Sequence, residues 1–166
     1  MTTSRWWAPG KPGAFCYSAA VAKKEAAAKV ILHALSGTKK GMDACRLVEA
    51  LFAKGRRVVV WAGDAGRAAI FNDYLWTFAQ HAFVPHVVWS GGEAEEPVVI
   101  VTGKLSNPIG ADTLVILDRL DDPAQASGFA EIHDFVGQAP EDQGKREAWA
   151  AAGFAVKDVR GVSAGK

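Results

Sequence analysis

Runs of consecutive apolar residues, each closed by a turn signal, recur along the chain. Such runs are typical of strands that are buried on both faces of a parallel sheet. They predict strands over Val30–Leu35, Arg56–Gly63, His86–Trp89, Pro97–Gly103, Asp112–Asp118 and Glu131–Val136. Residues 154–159 are predicted to form a closing strand or a tail.

Between these runs, apolar residues recur at steps of three and four, which is helical spacing. A first helix is predicted over Met42–Gly55, where the glycine ends it, and a second after Asp64, whose carboxylate can cap it. A third is predicted over Glu141–Gly153. Strands that alternate with helices predict an α/β fold, a three-layer α/β/α sandwich around a mostly parallel sheet.

The first part of the chain differs from the rest. Residues 1–20 have no period but carry four aromatic residues, and Ala19–Lys29 is rich in Ala, Lys and Glu, which favours a helical spacer. We therefore predict an arm and spacer over 1–29, one domain over 30–160 and a tail over 161–166.

Composition narrows the class of protein. The 166 residues are 49% hydrophobic and 22% charged, as in a soluble globular domain. Cys16 and Cys45 are too few for a disulfide framework and lack zinc spacing. No apolar run approaches the roughly 20 residues of a membrane span, and no secretion signal is evident, so a cytoplasmic location is expected.

The charge is unevenly distributed. Residues 1–57 hold eleven Lys and Arg against three Asp and Glu, although the net charge of the chain is only +1. This bias indicates either an acidic partner or nucleic acid, or simply a solvated arm.

Candidate catalytic motifs are incomplete, and no cofactor is expected. The loop SGTKKGMD departs from the phosphate-binding pattern GxxxxGK[ST], because Met42-Asp43 stands where Lys-Ser/Thr is required. Asp118 ends a strand like a magnesium ligand but has no partner loop. The four histidines lack metal spacing, and His33 and His133 within strand patterns indicate satisfied core or edge residues.

The segment LWTFAQHAFVPHVVW (75–89) concentrates large apolar side chains around a proline. It is either core or a surface for another protein. The order GRRV, helix, LW, FVPH, NPIGAD and LVILD resembles the chi subunit family of the bacterial DNA polymerase III holoenzyme, over about Val30–Val156.

The resemblance implies a non-enzymatic bridge with a nucleotide-binding-like fold but no nucleotide site. One surface of the family binds the psi subunit of the clamp-loader complex. Another binds the acidic C-terminal tail of single-stranded-DNA-binding protein, which is rich in aspartate and ends in Pro-Phe. Contact with DNA is then mainly indirect, no membrane is involved, and the chain is a monomer within a hetero-complex.

Carried over by position, the resemblance implies two sets of site residues. The psi-facing surface comprises Trp76 and Phe83, with Leu75, Val84 and Pro85 around them. The tail-binding surface comprises Val136, Lys145, Arg146 and Trp149. This region is about a helical turn shorter than in the family, and Gln143 stands where the family's principal arginine is expected.

Two other functions stay open on the residues alone. One is a diverged nucleotide-binding hydrolase, and the other is a nucleic-acid binder that uses the basic arm. The piece RWWAPGKPGAF (5–15) also has a faint likeness to the peptide with which psi reaches the clamp loader. We therefore expect the arm either to contact the clamp loader directly or to fold back on its own domain.

Overall fold

The computed structural model describes residues 28–35, 37–78 and 83–160. Seven strands and three α-helices make up this part of the chain. In chain order they are β1 Lys29–Ala34, α1 Lys40–Ala53, β2 Val58–Trp61, α2 Ala65–Thr77, β3 His86–Val88, β4 Val98–Val101, β5 Thr113–Ile116, β6 Glu131–Val136, α3 Lys145–Ala151 and β7 Ala155–Arg160. Two 3₁₀ turns lie at Pro123–Gly128 and Pro140–Asp142.

All seven strands form one parallel sheet in the order β3-β4-β2-β5-β6-β1-β7. The central strands β2, β4 and β5 are buried along their whole length, whereas β7 at one edge is mostly exposed. The predicted α/β class and parallel sheet are confirmed. The six predicted strands are present with ends shifted by at most two residues, and 154–159 is a strand rather than a tail.

The sheet separates two apolar layers, because successive side chains on a strand point to opposite faces. On β2, Val58 and Val60 pack under α1 and α2. Val59 and Trp61 face the opposite layer, which includes Phe129 beside the first 3₁₀ turn and Trp149 of α3. Helices and turns on both faces give the three layers that the sequence predicts.

Two helix predictions have different outcomes. The capping role of Asp64 is confirmed, since its Oδ1 accepts a hydrogen bond from the backbone N–H of Arg67 at 2.9 Å. The helix predicted over Glu141–Gly153 is wrong in its first part. Gly144 has a φ of +82°, a left-handed conformation that glycine adopts without the strain of a Cβ, and α3 begins only at Lys145.

Several predictions fall outside the described residues, among them the arm and most of the Ala-rich spacer. Ala28 and Lys29 are described, and Lys29 already pairs with Glu131 and Ala155 as the first residue of β1. Among the described helices, none has the length and apolarity needed to cross a bilayer.

Candidate protein-binding surfaces

An aromatic patch lies where α2 ends and β3 begins. We use this name for Trp76, Phe83, Pro85 and His86. Trp76 is 56% exposed and Phe83 is 65% exposed, although both are large apolar side chains. The ring centroid of Trp76 lies 5.6 Å from that of Phe83 and 4.9 Å from that of His86. The three rings form one continuous surface, and exposed aromatic clusters of this kind are typical of protein interfaces.

Two core residues anchor this patch. Leu75 and Val84 are each 2% exposed and pack in the layer between α2 and the sheet. Adjacent residues on a helix or an extended chain point in different directions, so burial of Leu75 and Val84 directs Trp76 and Phe83 outward. The sequence prediction groups Leu75 and Val84 with the docking surface, but the structure places both in the core.

The patch borders an edge of the sheet. In the described part of the chain, β3 pairs with β4 alone, so its outer side is unpaired. Val88 on this strand is a further exposed apolar side chain. Unpaired strand edges beside apolar side chains are a common place for a protein segment to dock.

A second exposed apolar pair on α2 was not identified from the sequence. Ile70 and Tyr74 are exposed and line a shallow groove of about 170 Å³, with Lys40 and Arg67 at its rim. Both residues fit the apolar spacing of the predicted second helix, so that spacing alone does not separate them from the buried positions. The buried face of α2 is a narrow stripe formed by Ala68, Phe71 and Leu75. Positions 70 and 74 lie on a different side of the helix, and this difference in position separates them from the core.

The predicted tail-binding residues divide into an interior and a surface pair. Lys145 and Trp149 are buried and bind Asp134, which is itself buried within β6. Lys145 Nζ lies 3.0 Å from Asp134 Oδ1 and 2.9 Å from Asp142 Oδ1, and it donates to the carbonyl of Phe135 at 2.8 Å. The indole N–H of Trp149 donates to Asp134 Oδ2 at 3.0 Å.

Lys145, Asp134 and Asp142 form a largely buried ionic network in which each charge stabilises the charged form of its neighbour. Burial disfavours the Lys145 ammonium, but the nearby carboxylates of Asp134 and Asp142 outweigh that effect and raise the pKa of Lys145. Burial raises the pKa of Asp142, but hydrogen bonds from Lys145 and the Gly137 N–H more than offset it and lower that pKa overall. Lys145 and Trp149 therefore stabilise the fold here rather than present a cation and a ring to solvent.

Val136 and Arg146 do reach a small cleft at the carboxyl ends of β1 and β6. The cleft has a volume of about 280 Å³, and Leu32, Ala34 and Val136 supply apolar lining. Arg146 is about half exposed and forms an ion pair with Asp158 of β7. The structure thus brings together two of the four predicted tail-binding residues at an accessible position.

Another cleft, of about 720 Å³, opens at the carboxyl ends of β1, β5 and β6. Open α/β sheets bind nucleotides at this place. Here Arg67 Nε lies 3.2 Å from Asp118 Oδ2. The carboxylate whose position resembles that of a magnesium ligand therefore forms an ion pair with an arginine of the same chain. Burial and the charge of Lys145 lower the pKa of Lys40 in the same cleft.

Comparison with known proteins identifies similar chains. Residues 28–156 match the family described as DNA polymerase III chi subunit, HolC. The chain is 29% identical over 97 residues to the DNA polymerase III subunit chi of Pseudomonas aeruginosa, covering 58% of this chain and 66% of that protein. It is 28% identical over 76 residues to the probable DNA polymerase III subunit chi of Rickettsia prowazekii, covering 46% of each. The chain therefore spans less than two thirds of either relative.

Proposed function

The chain belongs to the family of DNA polymerase III chi subunits, and on this premise we propose that it is a non-catalytic subunit that links the clamp-loader complex to single-stranded-DNA-binding protein. Family membership gives an accessory role in DNA replication, and the matched residues 28–156 agree with the resemblance found over Val30–Val156. The link itself, its two partners and a cytoplasmic location are the proposal.

The aromatic patch is the observation that carries this proposal. A patch that a partner covers must stay exposed in the isolated subunit, and Trp76 and Phe83 are more than half exposed. Aromatic residues dominate the binding energy of protein interfaces, because a large rigid ring buries much surface and loses little entropy. We assign the patch to the psi subunit, or to the clamp-loader subunit that takes its place.

We expect Trp76→Ala and Phe83→Ala each to weaken binding to the purified clamp-loader complex by more than about 1 kcal/mol. Their thermal unfolding should stay close to that of the wild type, because neither side chain is in the core. Isothermal titration calorimetry with the complex from the same organism measures the loss.

Ile70→Ala is the matched control, because Ile70 is also 56% exposed and lies on the same helix but outside the patch. Its binding should equal that of the wild type. Equal losses in all three variants, or unfolding of both patch variants without selective loss of binding, would contradict the assignment.

For the second partner, we propose that the acidic tail of single-stranded-DNA-binding protein docks at the cleft beside Val136. The apolar lining suits the terminal phenylalanine of the tail, and the Arg146 guanidinium suits its carboxylates. Asp158 competes for the same guanidinium. Tail binding through Arg146 therefore requires this exposed ion pair to open.

Arg146→Glu should weaken binding of a labelled peptide of aspartates that ends in Pro-Phe by about tenfold, which corresponds to about 1.4 kcal/mol. Asp158→Asn should have the opposite effect and strengthen binding, because it frees Arg146 and removes a repelling charge. Fluorescence anisotropy at low and raised salt measures both, and salt should weaken the wild-type interaction.

Lys104→Glu is the control for net charge, since Lys104 is exposed in the loop after β4, away from this cleft. If Arg146→Glu and Lys104→Glu lower the affinity for the peptide equally, the tail does not bind at the cleft. If Asp158→Asn lowers the affinity for the peptide, the tail and Asp158 do not compete for Arg146.

A further inference from the structure

His86 has one ring nitrogen bonded and one without a partner. Its Nδ1 lies 2.7 Å from the carbonyl oxygen of Val84. A carbonyl oxygen only accepts hydrogen bonds, so Nδ1 must carry the proton, and in the neutral ring Nε2 is then an acceptor. Nε2 is buried and has no hydrogen-bond partner among the described residues.

This acceptor belongs to the buried part of the aromatic patch, next to Trp76. The indole of Trp76 is tilted by 50° over the imidazole, with 4.9 Å between ring centroids. The Phe83 ring is the other aromatic neighbour of the indole, with 5.6 Å between ring centroids and 46° between ring planes. Trp76 is itself more than half exposed, so its outer side carries little packing that would hold the ring in place. Exposed side chains change rotamer in picoseconds to nanoseconds.

An unpaired buried acceptor is unfavourable, and such groups are rare in folded proteins. The fold does not require one here, because the hydrogen bond from Nδ1 to Val84 already fixes the ring. The ring that carries the unpaired atom also contacts Trp76, one of the most exposed aromatic residues in the described part of the chain, where a partner would bind. Position and chemistry together indicate that the missing donor belongs to that partner.

We propose that His86 Nε2 accepts a hydrogen bond from the protein segment that docks on the aromatic patch, and that Trp76 turns aside to admit it. The inference rests on the proposed function for the identity of the partner. The segment it describes is apolar and presents one N–H or O–H donor toward His86. A competitor without this donor leaves Nε2 buried and unpaired, so His86 selects the partner by chemistry as well as by shape.

His86→Phe tests the inference, because phenylalanine keeps a ring under Trp76 but has no acceptor. We expect it to weaken binding to the purified clamp-loader complex by about tenfold, the usual order for one buried hydrogen bond. His86→Gln supplies an amide oxygen as acceptor and an amide N–H for the Val84 carbonyl. It should recover part of the affinity.

Nitrogen NMR of the labelled wild type gives a readout that a structural role would not change. The resonance of the unprotonated Nε2 should move on binding in the direction of a hydrogen-bonded acceptor, while Nδ1 keeps its proton. An unmoved Nε2 resonance in the complex overturns the inference, and this measurement decides the question even if His86→Phe does not fold.

Failure of the role of His86 can be distinguished from failure of the proposed function. If Trp76→Ala loses binding but His86→Phe binds as the wild type does, the patch assignment stands and the role of His86 is refuted. If the wild type itself does not bind the clamp-loader complex, the proposed function fails and this inference fails with it.

Discussion

Replacing Asp134 by alanine will lower the free energy of unfolding by about 3–5 kcal/mol, the usual cost of removing one partner of a buried ion pair. Asp134 is 3% exposed and accepts hydrogen bonds from Lys145, from the Trp149 indole and from the backbone N–H of Phe135. The substitution leaves the Trp149 donor unpaired and takes one of two carboxylates from Lys145. Urea denaturation followed by circular dichroism measures the loss.

Asp158→Ala is the control, because it also removes a carboxylate from a Lys or Arg partner, but in an exposed pair. We expect its effect to stay within about 1 kcal/mol, as for other surface ion pairs. Similar losses for Asp134→Ala and Asp158→Ala would show that the buried network does not stabilise the fold.

This network changes how variants of the C-terminal region have to be interpreted. The sequence prediction treats Lys145 and Arg146 as equivalent cations for an acidic tail. Lys145→Glu would place a third carboxylate beside Asp134 and Asp142, so its loss of tail binding would report unfolding. Arg146→Glu changes an exposed residue and separates binding from stability.

The central strands were predictable because their sequences are determined by burial alone. Each residue of VVVW, VVIV and TLVI is buried, and a short apolar run rich in β-branched residues and bounded by turn signals is typical of a strand with both faces covered. The edge strand β7 was ambiguous for the opposite reason. Its pattern AVKDVR is mostly exposed, so little burial marks it as a strand.

The misassigned residues show where sequence reasoning stops. Lys145 and Trp149 are a cation and an aromatic ring, as the binding of an acidic tail requires, and nothing local in the chain shows that both are buried. A signal was nevertheless present in β6: an aspartate within the apolar strand EIHDFV requires a buried donor, because an unpaired carboxylate there is very costly. The nearest cation after that strand is Lys145.

The aromatic patch was predictable in part for a related reason. From its sequence, the segment around Pro85 was either core or a docking surface, and the division between core and surface residues depends on which way each side chain points. Leu75 and Val84 pack against the sheet, and this contact fixes the orientation of Trp76 and Phe83. Only the tertiary structure supplies that contact, so the sequence could nominate the patch but not divide it.

Acidification from pH 6.5 to about 4 will reduce the free energy of unfolding by roughly 2–3 kcal/mol, because the buried His133 takes up a proton less readily in the folded chain. His133 is buried in β6, and its Nδ1 and the Nε2 of His33 are 2.9 Å apart. Burial, together with the neighbouring His33, lowers the pKa of His133 from 6.5 to about 4, although Glu131 opposes the shift.

The sign follows from proton binding. Since the folded state binds this proton less readily than the unfolded state, the contribution of His133 to stability is fully present above pH 6.5. It is lost progressively as the pH falls toward 4, where protonation requires a buried imidazolium beside His33. Denaturation in urea at pH 7.0, 5.5 and 4.5 measures the slope.

The slope can be assigned to His133 by comparing two neighbours on β6. His133→Gln removes the titrating group and should flatten the dependence on pH between 6.5 and 4, whatever it does to stability at pH 7. Ile132→Val destabilises the same strand by about 1 kcal/mol without changing any titrating group, so it should keep the wild-type slope. A His133→Gln variant that loses stability with acid as steeply as the wild type would place the proton uptake elsewhere in the chain.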